Sequence, residues 1–158
     1  MEPRVATFAA GCFWGVEGTF RKVAGVLATR VGYMGGTVDA PSYEQVCTGQ
    51  TGHAEVCEVA YDPQQLGYED LLAVFWSCHD PTTRDRQGPD VGSQYRSAVF
   101  WHDETQRAMA VRSLEALDAS ATHPAPVVTE VVPAGEFWAA EAEHQQYLEK
   151  GGHSGCRG

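Results

Sequence analysis

The chain reads as an α+β fold, a two-layer split βαβ sandwich of the ferredoxin-like kind, with extra C-terminal helices and a long mobile tail. Two observations predict it. The periodicities run in the order β-α-β-β-α-β over the first hundred residues, an order that favours an antiparallel sheet with two helices on one face. The chain has 158 residues, is 43% hydrophobic and carries no low-complexity tract, which is enough for one domain with its own core. The expected organisation is a single domain over residues 1–150 and a flexible Gly-rich tail over 151–158.

Residues Arg4 to Ala9 form the first predicted strand. Phe13, Val16, Phe20 and Val23 follow at helical spacing, so a helix packs back on that strand and ends at Gly25. Val26 to Tyr33 is rich in strand formers and closes at Gly35-Gly36, while Val56 to Tyr61 alternates and closes at Asp62-Pro63. Between them, residues 37–55 make a long connection. Leu71, Leu72, Phe75 and Cys78 mark a helix within Tyr68 to Cys78, stopped by Asp80-Pro81, and Tyr95 to Trp101 is the fourth strand. Asp103 with Gln106 has the spacing of a capping box for a helix reaching about Ala119. An edge strand over Val127 to Val132 and a short helix over Glu136 to Tyr147 complete the prediction.

Composition excludes several classes. A formal charge of −10 with Lys and Arg scattered singly offers no basic stripe to nucleic acid or an anionic membrane, and no apolar run approaches the roughly 20 residues that span a bilayer. The segment Ala9-Ala10-Gly11-Cys12 superficially resembles a lipoprotein cleavage site, but Glu2 lies where a leader needs positive charge and the apolar run is too short. The five cysteines, Cys12, Cys47, Cys57, Cys78 and Cys156, are odd in number and form no C-x-x-C pair. That usage fits a reducing compartment, with a cytoplasmic location. His53/Cys57 and His153/Cys156 each lack a second pair at zinc spacing, so no metal is expected. An acidic chain without an evident exposed apolar stripe reads as a monomer.

Cys12 is placed where the first strand stops and the first helix begins, in Gly11-Cys12-Phe13-Trp14-Gly15. Unpaired N–H groups in the first helical turn favour thiolate over thiol, the flanking glycines admit a substrate, and Phe13 and Trp14 supply an apolar wall. A buried structural cysteine is the alternative. Polar groups beside glycines gather at predicted strand ends: Tyr43, the stretch Gly49 to Glu55, and the stretch Gln87 to Arg96 with Asp90 and Tyr95. Long connections are where chemistry tends to lie, although Glu55 alone would also suit a solvated surface. Cys156 ends a Gly-rich arm that could reach a distant thiol and withdraw, or it could be a terminal cysteine without a role.

Taken together these segments resemble the peptide methionine sulfoxide reductases, in the branch (type A) that reduces the S epimer. The resemblance rests on Gly11-Cys12-Phe13-Trp14-Gly15, Gly32-Tyr33 with Gly35-Gly36, Gly52-His53-Ala54-Glu55, His79-Asp80-Pro81-Thr82-Thr83 with Asp85-Arg86-Gln87-Gly88, Gln94-Tyr95-Arg96-Ser97, and His144-Gln145-Gln146-Tyr147-Leu148. It implies that Cys12 attacks the sulfoxide sulfur, that Glu55 protonates the oxygen, and that Tyr43 and Tyr95 hold that oxygen. Phe13 and Trp14 would bind the terminal methyl, and Asp90 would order the polar site. Cys156 would then resolve the Cys12 sulfenic acid as a disulfide, reopened by thioredoxin as external reductant with no bound cofactor. Oxidised proteins or free methionine sulfoxide would be the substrates. The chain stops at Gly158, where many members carry a further tail cysteine, and Pro89 replaces a small polar residue before Asp90. A thiol peroxidase, a cysteine hydrolase with a His base, and a redox-regulated binding module without turnover are the competing classes.

Overall fold

A computed structural model describes residues 2–151 of the chain. Its sheet is centred on β1 (Arg4–Ala10), whose last five residues are all buried. Around it lie β2 (Val26–Met34), β3 (Ala54–Tyr61) and β6 (Ser97–Trp101), in the order β6-β1-β3-β2 with every neighbour antiparallel. The connecting helices are α1 (Phe13–Arg21) and α3 (Tyr68–Ser77). This is the split βαβ order expected from the sequence. Two short strands extend the sheet: β7 (Glu130–Pro133) parallel to β6, and β8 (Trp138–Ala139) antiparallel to β2.

The even-numbered residues of β1 share one face of the sheet with the odd-numbered residues of β2, β3 and β6, as the register and a period of two require. Phe8, Val31, Cys57 and Val59 point to the face on which α1 and α3 pack their own Phe13, Val16, Phe20, Leu71 and Phe75. Phe8 is the pivot, its ring stacked at 5.1 Å on Phe20, 5.2 Å on Phe75 and 6.1 Å on Tyr68. Truncating so enclosed a ring to Ala costs about 3–5 kcal/mol. The opposite face is also covered, since Ala9, Met34, Val56 and Phe100 pack beneath Val132, Ala134 and Phe137.

Three stretches differ from the sequence expectation. The connection over 37–55 holds a one-turn helix, α2 (Tyr43–Cys47), which Ser42 and Gln45 close by a reciprocal capping box. Too short to show an apolar period, it was legible only through that Ser-x-x-Gln spacing. The fourth strand begins at Ser97 because residues before it form a hairpin, β4 (Arg86–Gln87) and β5 (Asp90–Val91), and a 3₁₀ turn over Ser93–Tyr95. α4 (Glu104–Ala119) forms as expected, with Asp103 accepting the Gln106 N–H at 2.8 Å. Gln106, however, accepts from His102 and donates to Val5 instead of returning to Asp103.

The helix expected over 136–147 does not form, so among the described residues α4 is the only extra C-terminal α-helix. In its place β8 leads into a 3₁₀ turn over Ala142–His144 and a run of turns. Polar side chains there spend their hydrogen bonds on distant parts of the chain. Gln145 clasps both backbone groups of Val31 at 2.8 Å. Gln146 donates its backbone N–H and its amide to the buried Glu17 carboxylate of α1, at 2.8 and 2.9 Å, and Glu17 also accepts from Thr29 at 2.7 Å. Nearby, Gly18 admits Leu148, whose Cδ1 would lie 2.7 Å from any β-carbon at that position. The tail predicted to be mobile lies, apart from Gly151, outside the described residues.

Candidate active site

Cys12 is the N-cap of α1, as predicted, and its carbonyl accepts from Val16 at 3.3 Å. The preceding turn depends on Gly11, which sits at φ +99° with Gln87 so close that a β-carbon would meet its Cγ at 2.8 Å. An L side chain there would be strained twice, by conformation and by contact. Cys47, Cys57 and Cys78 are free thiols, whereas Cys12 is disulfide-bonded. Cys156 lies outside the described residues.

No side chain of α1 caps its own N-terminus; the cap comes from Glu55. β3 starts at Ala54, so Glu55 shares the helix-facing side of the sheet with Cys57 and Val59 instead of lying in a loop. Its Oε1 accepts the Phe13 N–H at 3.1 Å, one of the orphan donors of the first turn. Its Oε2 is buried and has no hydrogen-bond partner. Burial pushes the Glu55 carboxyl up to about 8, the Phe13 N–H opposing and the nearby Asp90 charge adding to the rise. At neutral pH the group is therefore mostly a protonated acid with an unused oxygen.

The two tyrosines converge on this acid. Tyr43, the first residue of α2, and Tyr95, at the end of the 3₁₀ turn, are both held above the ordinary phenol range by burial first and by the Glu55 charge second. The Tyr43 hydroxyl is buried without a hydrogen-bond partner. Asp90 is half-buried on β5, and the Gly88-Pro89 turn closes the hairpin so that Gln87 pairs with Asp90. Desolvation raises the Asp90 carboxyl, and its charge acts on both Glu55 and Tyr95. Pro89 is thus compatible with a backbone path that brings Asp90 to the site.

Phe13 and Trp14 form an aromatic wall, but not alone. Trp14 stacks on Tyr147 at 3.9 Å and donates its indole N–H to Nδ1 of His144 at 3.0 Å. That bond requires an unprotonated Nδ1, and burial lowers the His144 pKa accordingly. The His144 ring also lies 4.4 Å from that of Tyr43, and Phe13 packs on both Tyr33 and Tyr43 at 5.7 and 6.2 Å. His144 and Tyr147 belong to a motif quoted above without a role. The Cys47 thiol lies beside the Tyr43 and Tyr95 hydroxyls and near Glu55. Its spacing of four from Tyr43 on one helical turn was the available signal.

Other candidate chemistry is committed elsewhere. His53 contacts the Gly36 N–H and the Val38 carbonyl, and His79 bridges the Phe75 carbonyl and Ser97. Both ring nitrogens of each are committed to these partners. Arg96, next to Tyr95, donates to the Ser93 and Gly52 carbonyls and pairs with Glu130. Among the described residues no group of three or more His, Cys, Asp or Glu could hold a metal ion. The arrangement brings together a cysteine at a helix start, a carboxyl raised by burial that caps the same helix, two phenols and an aromatic wall, a set of groups suited to thiol-based redox chemistry.

Comparison with known proteins specifies the class further. A family profile described as peptide methionine sulfoxide reductase matches residues 4–157. The peptide methionine sulfoxide reductase MsrA of Methanothermobacter thermautotrophicus is 60% identical over 151 residues, covering 96% of this chain and 89% of that protein. Among solved structures, methionine sulfoxide reductase A of Corynebacterium diphtheriae superposes with a TM-score of 0.90 at 38% identity, over 94% of this chain and 75% of that one. Mxr1 of Saccharomyces cerevisiae in reduced form gives 0.88 at 36% identity, over 94% and 86%. The same yeast protein in complex with Trx2 gives 0.65 at 26%, over 92% and 85%. The chain belongs to the peptide methionine sulfoxide reductase family. It is an enzyme, and its reaction is the reduction of methionine sulfoxide to methionine.

Proposed function

We propose that Cys12, Glu55, Tyr43, Tyr95 and Asp90 carry the first chemical step, on the S epimer of methionine sulfoxide. The observation that supports this most directly is the Glu55 carboxyl. One oxygen is tied to the start of the Cys12 helix, and the other is buried, unpartnered and mostly protonated. The Cys12 thiolate attacks the sulfoxide sulfur while Glu55 gives its proton to the departing oxygen, which Tyr43 and Tyr95 hold by hydrogen bonds. Oxygen passes to Cys12 as a sulfenic acid, and methionine leaves. Phe13 and Trp14 hold the terminal methyl in an apolar recess that the oxygen cannot share, so only one sulfur configuration aims its oxygen at Glu55.

In the second step the Cys156 thiol condenses with the sulfenic acid, releasing water and forming the Cys12–Cys156 disulfide. Thioredoxin then reduces that bond by dithiol exchange, taking the disulfide onto itself. Yeast Mxr1, solved with Trx2, supports this choice of reductant. Cys57 is fully buried within β3 and the Cys78 thiol donates to the Phe75 carbonyl, so both suit a structural place. Cys47, close to the site, is the competitor.

The same reading makes residues 1–150 a single catalytic domain without bound cofactor or metal. It acts as a cytoplasmic monomer on oxidised proteins or free methionine sulfoxide; among the described residues no helix is long and apolar enough to cross a membrane. Thioredoxin-coupled consumption of NADPH tests it. The S sulfoxide, free or in a peptide, should sustain turnover, and the R sulfoxide should not. Equal rates on hydrogen peroxide would favour a thiol peroxidase, and no turnover on any substrate would favour a redox-regulated binding module. Non-reducing peptide maps after sulfoxide treatment should join the Cys12 and Cys156 fragments; a Cys12–Cys47 link would overturn the relay.

A further inference from the structure

Glu141 stands at the junction between the C-terminal segment and the site. Its Oε1 accepts the hydroxyl of Tyr33 at 2.9 Å, and its Oε2 accepts the backbone N–H of Tyr43, also at 2.9 Å, across 98 residues of sequence. Tyr33 is fully buried on β2 and forms the floor on which Phe13 rests. Tyr43 opens α2, and the first N–H of a helix has no partner within the helix. The capping box of α2 does not supply one, because Ser42 is engaged with Gln45 in both directions. One carboxylate therefore couples the one-turn helix carrying Tyr43 to the rigid sheet.

We propose that Glu141 is a positioning residue for the first chemical step, fixing α2 so that the Tyr43 hydroxyl meets the sulfoxide oxygen. The proposal rests on the reading in which Tyr43 and Tyr95 share that oxygen. A five-residue helix cannot hold its own orientation. Its polar ties to the neighbouring loop are a 3.4 Å contact from the Gln94 amide to the Cys47 carbonyl and the approach of the Cys47 thiol to the Tyr95 hydroxyl. Losing one donor to a developing oxyanion costs about 10²–10³-fold in rate, and a misplacement of about 1 Å can cost a comparable factor. A loosened Tyr43 should therefore forfeit part of that donor's effect and never more than all of it.

The test is a double-mutant cycle read in a Tyr95→Phe host, where the second hydroxyl cannot compensate. Glu141→Gln keeps the size of the side chain but turns one acceptor into a donor that faces the Tyr43 N–H or the Tyr33 hydroxyl. In single-turnover assays of methionine formation, Glu141→Gln should slow the host about tenfold and Tyr43→Phe at least as much. The two together should be no slower than Tyr43→Phe alone within about twofold, because both act on one hydroxyl. Tyr33→Phe, which removes the carboxylate's tie to the sheet, should slow the host in the same direction as Glu141→Gln and by no more, and its effect should likewise vanish beside Tyr43→Phe.

Multiplying losses would overturn the proposal, since Glu141 would then act elsewhere, as a purely structural residue does. So would a Glu141→Gln rate within about twofold of the host beside a strong Tyr43→Phe loss. If Tyr43→Phe itself leaves the host unchanged, the assignment of the two phenols fails and takes the proposal with it, a result distinct from the other two. Should Glu141→Gln not accumulate as folded protein, Glu141→Asp, which keeps the charge but cannot span both partners, serves the same cycle with the same outcomes.

Discussion

Replacing Glu55 by Gln should make the enzyme less active and, at neutral pH and above, more stable. The amide keeps an oxygen for the Phe13 N–H but has no proton to give, so the first step should slow by about 10²–10⁴-fold. The stability arm follows from the rise of the Glu55 carboxyl to about 8, caused chiefly by burial. The unfolded chain loses this proton near pH 4.5, whereas the folded protein keeps it to about pH 8. Between those values the folded state binds the extra proton, so stability is full below pH 4.5 and falls as pH rises, levelling off above 8. At about 1.4 kcal/mol per unit the loss between pH 5 and pH 8 is roughly 3–4 kcal/mol. Gln cannot titrate and should escape it. Urea unfolding of both proteins at pH 5 and pH 8 isolates the effect: the stability of Glu55→Gln minus that of wild type should be larger at pH 8 by roughly that amount. A difference that does not change with pH would refute the claim that Glu55 is a buried neutral acid. A single-turnover rate equal to wild type would refute its role as proton donor.

Further outcomes follow from the same geometry. Cys12→Ser should abolish turnover with the fold intact, since a hydroxyl fits the volume but cannot attack sulfur; steady-state activity above about one per cent of wild type would remove Cys12 from the nucleophile role. Cys156→Ser should still release about one methionine per enzyme while thioredoxin-driven turnover nearly stops and sulfenic acid accumulates, as trapping with a dimedone-type reagent would register. The wild-type single-turnover rate should fall as pH climbs past about 8, where Glu55 loses its proton; a rate still climbing at pH 9.5 would place the acid elsewhere.

The sequence was most legible where one residue type answered one backbone need. Gly11, at positive φ against Gln87, and the apolar spacing of α1 together placed Cys12 at a helix start from pattern alone. Glu55 was found through its neighbours, but its pKa was not, because that depends on β3 beginning at Ala54 and turning the side chain under α1. α2 was hidden because a single helical turn has no period to detect, and with it went the position of Cys47 beside the two phenols. The segment after Pro133 misled most. Its polar residues at helical spacing resemble an exposed helix, whereas Glu141, His144, Gln145 and Gln146 each bond a partner about a hundred or more residues earlier. No local pattern records such partners.

That separation also bears on the order in which the molecule can assemble. The Trp14–His144 bond spans 130 residues and the Glu17–Gln146 bond 129, whereas α1 rests on strands close to it in sequence. Closing the longer loops carries a larger entropic cost, and their reward is realised only once the sheet they land on exists. The sheet and its helices can therefore form around Cys12 while one wall of the pocket is still missing. Folding and the completion of the site become separate events: Cys12, Phe13 and Trp14 are in place with α1, and His144 and Tyr147, which back Trp14, arrive with the last part of the chain to dock.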